Sequence, residues 1–347
     1  MRYALLLVTA SCVVSACAAE SPSPRQTAGP PASYLDYSGR EDVLGGGVRM
    51  IPISTPKGTF RVWTKRIGNN PSMKVLLLHG GPASTHEYFE GMDSYFPAAG
   101  VEYYYYDQLG SYYSDQPDEP ELWNVPRFVD EVEQVRTALG LDSGNFYLLG
   151  HSWGGMLALE YALAHQQRLK GLVISNMMAS MPAYNAYAEK TLMPAMDQQV
   201  LAEVKRLEAE GRHEDPRYME LLIPLHYVKH LLRLPLEQWP DPVHRGFKHL
   251  NRAIYVPMQG PSELGSSGIL EKWDRSSDLP NVAVPTLVIG ATHDTMDPAH
   301  MKAMAAAVQR GRYLHCPNGS HLAMYDDQQV YMEGVIRFLR DVEAGRF

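Results

Sequence analysis

Cysteine is nearly absent: Cys12, Cys17 and Cys316 are the only three in 347 residues. If the first twelve or more residues are removed, and Cys17 is removed or modified, Cys316 stands alone and an internal disulfide is excluded. The core must then hold by packing, with Cys316 a small buried hydrophobe. No apolar run reaches the roughly 20 residues that a membrane-spanning helix needs. Basic clusters with interleaved aromatics are also missing. Acidic residues outnumber basic ones, 39 to 31, for a net charge of −8. That balance argues against a polyanion such as nucleic acid as partner. There is no repeat at a fixed period. With no HExxH, EF-hand loop or close cysteine cluster, neither a metal nor a cofactor is expected.

What is present begins with a processing signal. Arg2 precedes an apolar run over residues 4–14 that is too short to span a bilayer. The run ends in Val14-Ser15-Ala16-Cys17, which resembles the lipobox of bacterial lipoproteins. Residues 1–17 are then a lipoprotein-type signal, Cys17 is the lipidation site, and the chain is exported as a periplasmic or membrane-anchored protein of a bacterium. An ordinary secretory signal cut near residues 16–19, or an uncleaved tail, fits the same run. Pro and Ser crowd residues 21–33, and residues 18–44 read as a flexible tether. The only expected contact with a membrane is through that lipid anchor.

An apolar content of 45% is enough for one large core with an insertion, or for two domains. Residues 48–53 and 59–65 flank Pro56-Lys57-Gly58 and predict a hairpin. The unbroken apolar run at 75–78 suits a parallel strand buried on both faces, the four tyrosines of 101–106 favour a second strand, and further strand signals cover 146–149, 171–174, 284–290 and 311–315. Helical spacing recurs at 128–139, 155–165 and 328–342. Residues 180–275 break this alternation with helical stretches, at 198–210 and 217–232, and no convincing strand. The pattern predicts an α/β fold: a sheet core over 45–179 and 276–347, interrupted by a mainly helical cap over 180–275 that sits where open α/β sheets bind ligands.

Gly150-His151-Ser152-Trp153-Gly154 lies between strand and helix, the context a nucleophile elbow requires. A serine hydroxyl needs a base held in the right tautomer. In this chain order the acid and then the histidine follow the serine. Asp294 and His321 lie in loops after the last two strands, at the same sheet edge as Ser152. Asp297 is the rival acid, but it precedes Pro298 and suits a helix cap. His315 ends a strand signal and suits a structural role. His79-Gly80-Gly81-Pro82 follows a strand as an oxyanion loop should, with glycines that let backbone amides face the reacting centre. The Trp153 and Gly81 amides are the expected donors.

The runs LLLHGGPASTHEYF, YYDQLGSYYSDQP, LLGHSWGGMLALEYA and GATHDTMDPAH…CPNGSHLAMYDD resemble the prolyl iminopeptidases and the tricorn-interacting aminopeptidase, over about residues 45–345. The resemblance implies an α/β-hydrolase fold and a serine aminopeptidase that removes an N-terminal residue, commonly proline, from short peptides with a free N-terminus. It implies Ser152, Asp294 and His321 as nucleophile, acid and base. It also implies a substrate site in the cap, where Glu263 in MQGPSEL matches the glutamate that holds the substrate amine, alongside Gly80. Three departures stand out. Ala83 replaces the last glycine of HGGPG, and Tyr112 stands where the DQxGxGxS pattern has glycine, with an expected effect on the pocket floor. Thr295 replaces a second amine-gripping glutamate, which leaves another cap acid such as Glu220 to help and suggests that Thr295→Glu would improve use of unblocked substrates. The alternatives are a serine hydrolase of another ester, lactone or amide without amine recognition, and a non-catalytic binding protein on the same fold.

Overall fold

The computed structural model describes residues 32–347. Cys17 and the signal segment lie outside the described residues. Eight strands, β1 (Val48–Thr55), β2 (Gly58–Ile67), β3 (Lys74–Leu78), β4 (Glu102–Asp107), β5 (Phe146–His151), β6 (Gly171–Ser175), β7 (Thr286–Ala291) and β8 (Gly311–Cys316), form one sheet. Their order is β1-β2-β4-β3-β5-β6-β7-β8. The hairpin expected around Pro56 is there, with Thr55 opposite Gly58. β2 runs antiparallel to β4, and every later pairing is parallel.

Every residue of β3, β4, β5, β6 and β7 is buried, because helices cover both faces of the sheet. Alternate side chains feed opposite cores: Leu76, Leu78 and Leu148 enter one, Val75, Leu77 and Leu149 the other. α1 (Val125–Ala138) starts at Asn124, whose side chain accepts from the Arg127 amide and so supplies the missing helix-end partner. α2 (Trp153–His165) is buried all round from Trp153 to Ala162. Between β6 and β7 the chain forms α3 (Met181–Tyr187), α4 (Gln198–Ala209), α5 (Pro216–Leu222), α6 (Asp241–Lys248) and α7 (Arg252–Met258), the helical cap. α8 (Pro298–Ala307) and α9 (Gln328–Glu343) complete the core.

Two expectations need correction. The helix expected over 217–232 is interrupted. α5 ends at Leu222, a wider π-helical turn spans Ile223–Tyr227, and a last short turn covers Val228–His230. Pro224 explains the break, since it has no N–H to donate and its ring collides with the preceding turn of an α-helix. The tether expected over 18–44 does not extend to its end. Tyr34 is buried and donates its hydroxyl to the Val101 carbonyl at 3.0 Å. Asp42 receives a two-pronged bond from Arg66, at 2.7 and 2.8 Å. Both partners of that pair are buried, so Tyr34 and Asp42 fasten to the rest of the protein a segment whose intervening residues are mostly exposed.

Candidate active site

β5 enters the elbow at Gly150 and α2 leaves it at Trp153. Ser152 takes φ 55° and ψ −128°, a conformation sparsely populated by residues with a side chain and costing on the order of 1–3 kcal/mol. A Cβ on Gly150 would fall on the Gly154 carbonyl, and one on Gly154 on the Leu78 carbonyl. Glycine is therefore obligatory on both sides of the serine. The Ser152 amide donates to the Ser175 carbonyl at 3.0 Å, which hooks the turn to β6.

The acid and base loops meet at the same sheet edge. His321 Nδ1 lies 2.8 Å from Asp294 Oδ1, and both residues are buried. Asp294 is itself held: Asn176 donates to Oδ2 at 2.7 Å, and the Met296 amide to Oδ1 at 3.1 Å. With Nδ1 engaged, His321 presents Nε2 toward the cavity that Ser152 also lines. The Ser152 hydroxyl has no hydrogen bond among the described residues, and such contacts commonly tighten only around substrate. Burial pulls the His321 pKa down, but the charge of Asp294, the bond to it and a smaller contribution from Glu263 outweigh burial. The net shift is upward from 6.5.

His151, the second residue of the elbow, ties these parts together. Its Nε2 lies 2.8 Å from the His321 carbonyl, which can only accept, so Nε2 carries the proton. Nδ1 is then an acceptor for the Tyr88 hydroxyl at 3.1 Å, and Tyr88 in turn accepts from the Gly80 amide at 2.5 Å. The Gly80 amide is thus occupied and does not face the reacting centre. Its glycine is needed for space, because a Cβ there would stand 3.0 Å from Ser152 Cβ. Gly81, at φ 103°, and Trp153, at the first position of α2, have amides with no acceptor among the described residues. Gln108 of the DQLG motif braces them: its amide group donates to the His79 carbonyl at 3.0 Å and accepts from Trp153 Nε1 at 2.9 Å. Ala83 sits at φ 58°, which explains why glycine suits that position.

A cavity of about 410 Å³ opens over this arrangement. Ser152, His321, Gly80 and Gly81 form its floor, and Glu263 and Tyr255 line it from the cap. The Tyr255 hydroxyl donates to Glu263 Oε1 at 2.6 Å, so the other carboxylate oxygen is available to a ligand. Tyr184 donates to the Glu263 carbonyl at 2.8 Å and fixes its backbone. The cap supplies apolar walls through Met219, Ile223, Trp239 and Phe247.

Other candidates lie elsewhere. Glu220 does not reach the cavity: its side chain is 65% exposed on the outer face of α5, beside Arg217. The inward positions of that helix are Met219 and, one turn on, Ile223, which turns Glu220 away. Asp297 caps α8 through the Ala299 amide at 2.8 Å. His315 is exposed and bonds Thr292. Tyr112 lies outside the cavity lining and stacks on His249 of the cap at 3.9 Å, so it pins the cap rather than flooring the pocket. Thr295 is fully buried, with its hydroxyl 3.2 Å from His321 Nδ1 and 3.4 Å from Asp294 Oδ1. A carboxylate at 295 would crowd the acid–base pair, which reverses the expected benefit of Thr295→Glu. Tyr88, Gln108 and Asn176 went unassigned in the sequence. Asn176 carried one signal, an asparagine directly after a buried strand, where φ 51° is observed.

Residues 74–328 match the family described as the alpha/beta hydrolase fold. The chain is 58% identical over 300 residues to a proline iminopeptidase of Elizabethkingia meningoseptica, an alignment covering 86% of this chain and all of that one. A proline iminopeptidase of Flavobacterium johnsoniae is also 58% identical, with 84% and 98% covered. Among solved structures, a proline iminopeptidase of Mycobacterium smegmatis superposes with a TM-score of 0.76 at 27% identity, covering 86% of this chain and 100% of that one. The chain belongs to the α/β hydrolases and, within them, to the proline iminopeptidase family.

Proposed function

We propose that the protein is a serine aminopeptidase that hydrolyses the N-terminal residue, preferentially proline, from short peptides through an acyl-enzyme. The observation that carries this reading is the placement of Glu263 on the same cavity as Ser152 and His321. An exopeptidase acting at an amino terminus must bind a cation beside the scissile bond, and Glu263 offers it one unoccupied carboxylate oxygen. Ser152 Oγ attacks the carbonyl of the first residue while His321 Nε2 takes its proton. Asp294 holds the imidazole in the required tautomer and balances its charge. The tetrahedral oxyanion forms against the Gly81 and Trp153 amides. His321 then hands its proton to the departing amine, and water repeats the sequence to release the free amino acid.

The test compares prolyl p-nitroanilide with its N-acetyl counterpart. Acetylation removes the positive charge, so kcat/KM should fall sharply, and Glu263→Gln should cost the free substrate about thirtyfold, equivalent to about 2 kcal/mol. Equal rates on the two substrates, insensitive to Glu263→Gln, would leave the triad standing and sink the aminopeptidase reading.

The same proposal extends to location: the enzyme is exported and anchored by lipid at Cys17, supported by the apolar run and lipobox-like sequence before it. Cys17→Ala and globomycin should each block maturation. Mature protein that still begins at Met1, recovered from washed cytosol, would refute it.

A further inference from the structure

Outside the catalytic groups, one stretch of the cap contacts the amine-binding glutamate and both triad loops. His230 bridges the two loops by itself. Its Nδ1 lies 3.0 Å from the carbonyl of His293, the residue before the acid, and its own carbonyl accepts from the amide of the base, His321, at 2.9 Å. The next residue continues the seam: the Leu231 carbonyl accepts from the Leu322 amide at 2.8 Å and from Ser320 Oγ at 2.9 Å. Four residues earlier, His226 is fully buried, and its Nε2 lies 3.2 Å from the Glu263 carbonyl. A carbonyl can only accept, so His226 Nε2 and His230 Nδ1 both carry protons. Among the described residues His226 Nδ1 has no partner, and the bond to Glu263 is its ring's sole polar attachment. The two rings stand 5.2 Å apart, centre to centre. The π-helical turn that includes His226 puts them on one face, a geometry often found at functional sites.

We propose that His226 and His230 are positioning residues of the hydrolase, holding Glu263 and the Asp294 and His321 loops in mutual register from the cap. The His226 half rests on the prolyl aminopeptidase reading; the His230 half requires only the triad. Neither ring lines the cavity, so both act through the groups they hold. Small displacements of reacting groups are expensive in rate, which is how a hydrogen bond one residue removed from the acid affects turnover.

Steady-state kinetics of the full chain with prolyl p-nitroanilide and with p-nitrophenyl acetate tests both halves. His230→Ala should lower kcat about tenfold on both substrates with KM little changed. His230→Asn, whose amide nitrogen mimics Nδ1, should recover most of the loss. His230→Gln, whose amide mimics Nε2, should not, and this pair decides the matter even if the alanine variant does not fold. For His226→Phe, the loss in kcat/KM should be about tenfold greater on the anilide than on the ester, and should appear mainly in KM. Wild-type kcat in His230→Ala, or equal rates for the Asn and Gln variants, would overturn the His230 half. Equal losses on anilide and ester would overturn the His226 half. Failure of the aminopeptidase reading has a separate signature, namely no preference of the unaltered enzyme for free over acetylated anilide.

Discussion

His321 must be neutral to accept a proton from Ser152, so its environment sets the pH at which the enzyme works. Two opposed influences act on it. Burial disfavours the imidazolium, while Asp294, at 2.8 Å, favours it. The carboxylate prevails, and the imidazole holds its proton to a higher pH than the ordinary 6.5. The acid limb of kcat/KM should accordingly have its midpoint above about 6.5. Asp294→Asn removes the charge and leaves the burial, so the midpoint should drop below that value. The same change should lower kcat by on the order of 10³- to 10⁴-fold, because the amide no longer fixes the productive tautomer. A pH–rate profile of the two enzymes checks both statements. A midpoint that stays put in Asp294→Asn would mean that the acid acts elsewhere, and Asp297→Asn would then be the variant to measure.

At the scale of elements, legibility followed how many constraints a segment must satisfy. The central strands read as apolar or tyrosine-rich runs because helices cover both of their faces. The elbow was legible because each glycine answers a separate collision, Gly150 with the Gly154 carbonyl and Gly154 with that of Leu78. Asp294 and His321 were legible by chain order and by their place after strands. The cap was legible only as helix-rich sequence. Pro224 breaks a helix there whose apolar spacing runs straight through it, and the π-helical turn that results has no periodicity of its own. Glu220 illustrates the limit on side chains: composition offered an acid, but the helix face belongs to Met219 and Ile223. Residues 34–42 failed for the opposite reason. They are polar and glycine-flanked like a linker, yet one buried tyrosine and the Asp42–Arg66 pair fasten them to the sheet. The supporting contacts of His226 and His230 were illegible, since each joins segments far apart in the chain and neither depends on a local motif, whereas Gln108 sat in a motif whose sequence did not show what its side chain would hold.

For the whole molecule, the wiring of the site has a consequence for stability. Burial lowers the pKa of His79 to about 4, that of His151 well below its ordinary value, that of His226 to about 4, and that of His230 also downward. Each is neutral in the fold, and in His79 and His151 the unprotonated nitrogen is an acceptor: His79 Nε2 for the Gln108 amide, His151 Nδ1 for the Tyr88 hydroxyl. In the unfolded chain the same histidines take up protons near pH 6.5. Between about pH 6.5 and 4 the unfolded state therefore binds more protons than the native one, and stability must fall as pH falls. Each histidine that stays neutral contributes a slope of about 1.4 kcal/mol per pH unit within that window. His321, shifted the other way, is protonated in both states below about pH 6.5, so its contribution is constant there and adds no slope within the window. Urea midpoints measured at pH 6.5, 6.0 and 5.5 should thus decline steadily, before the acidic side chains begin to titrate in bulk. A flat midpoint across that range would show that these histidines are already protonated in the fold, which would make His151 Nδ1 a donor to the Tyr88 hydroxyl and break the bond from Gln108 to His79 Nε2, while the bonds to carbonyls would keep their direction.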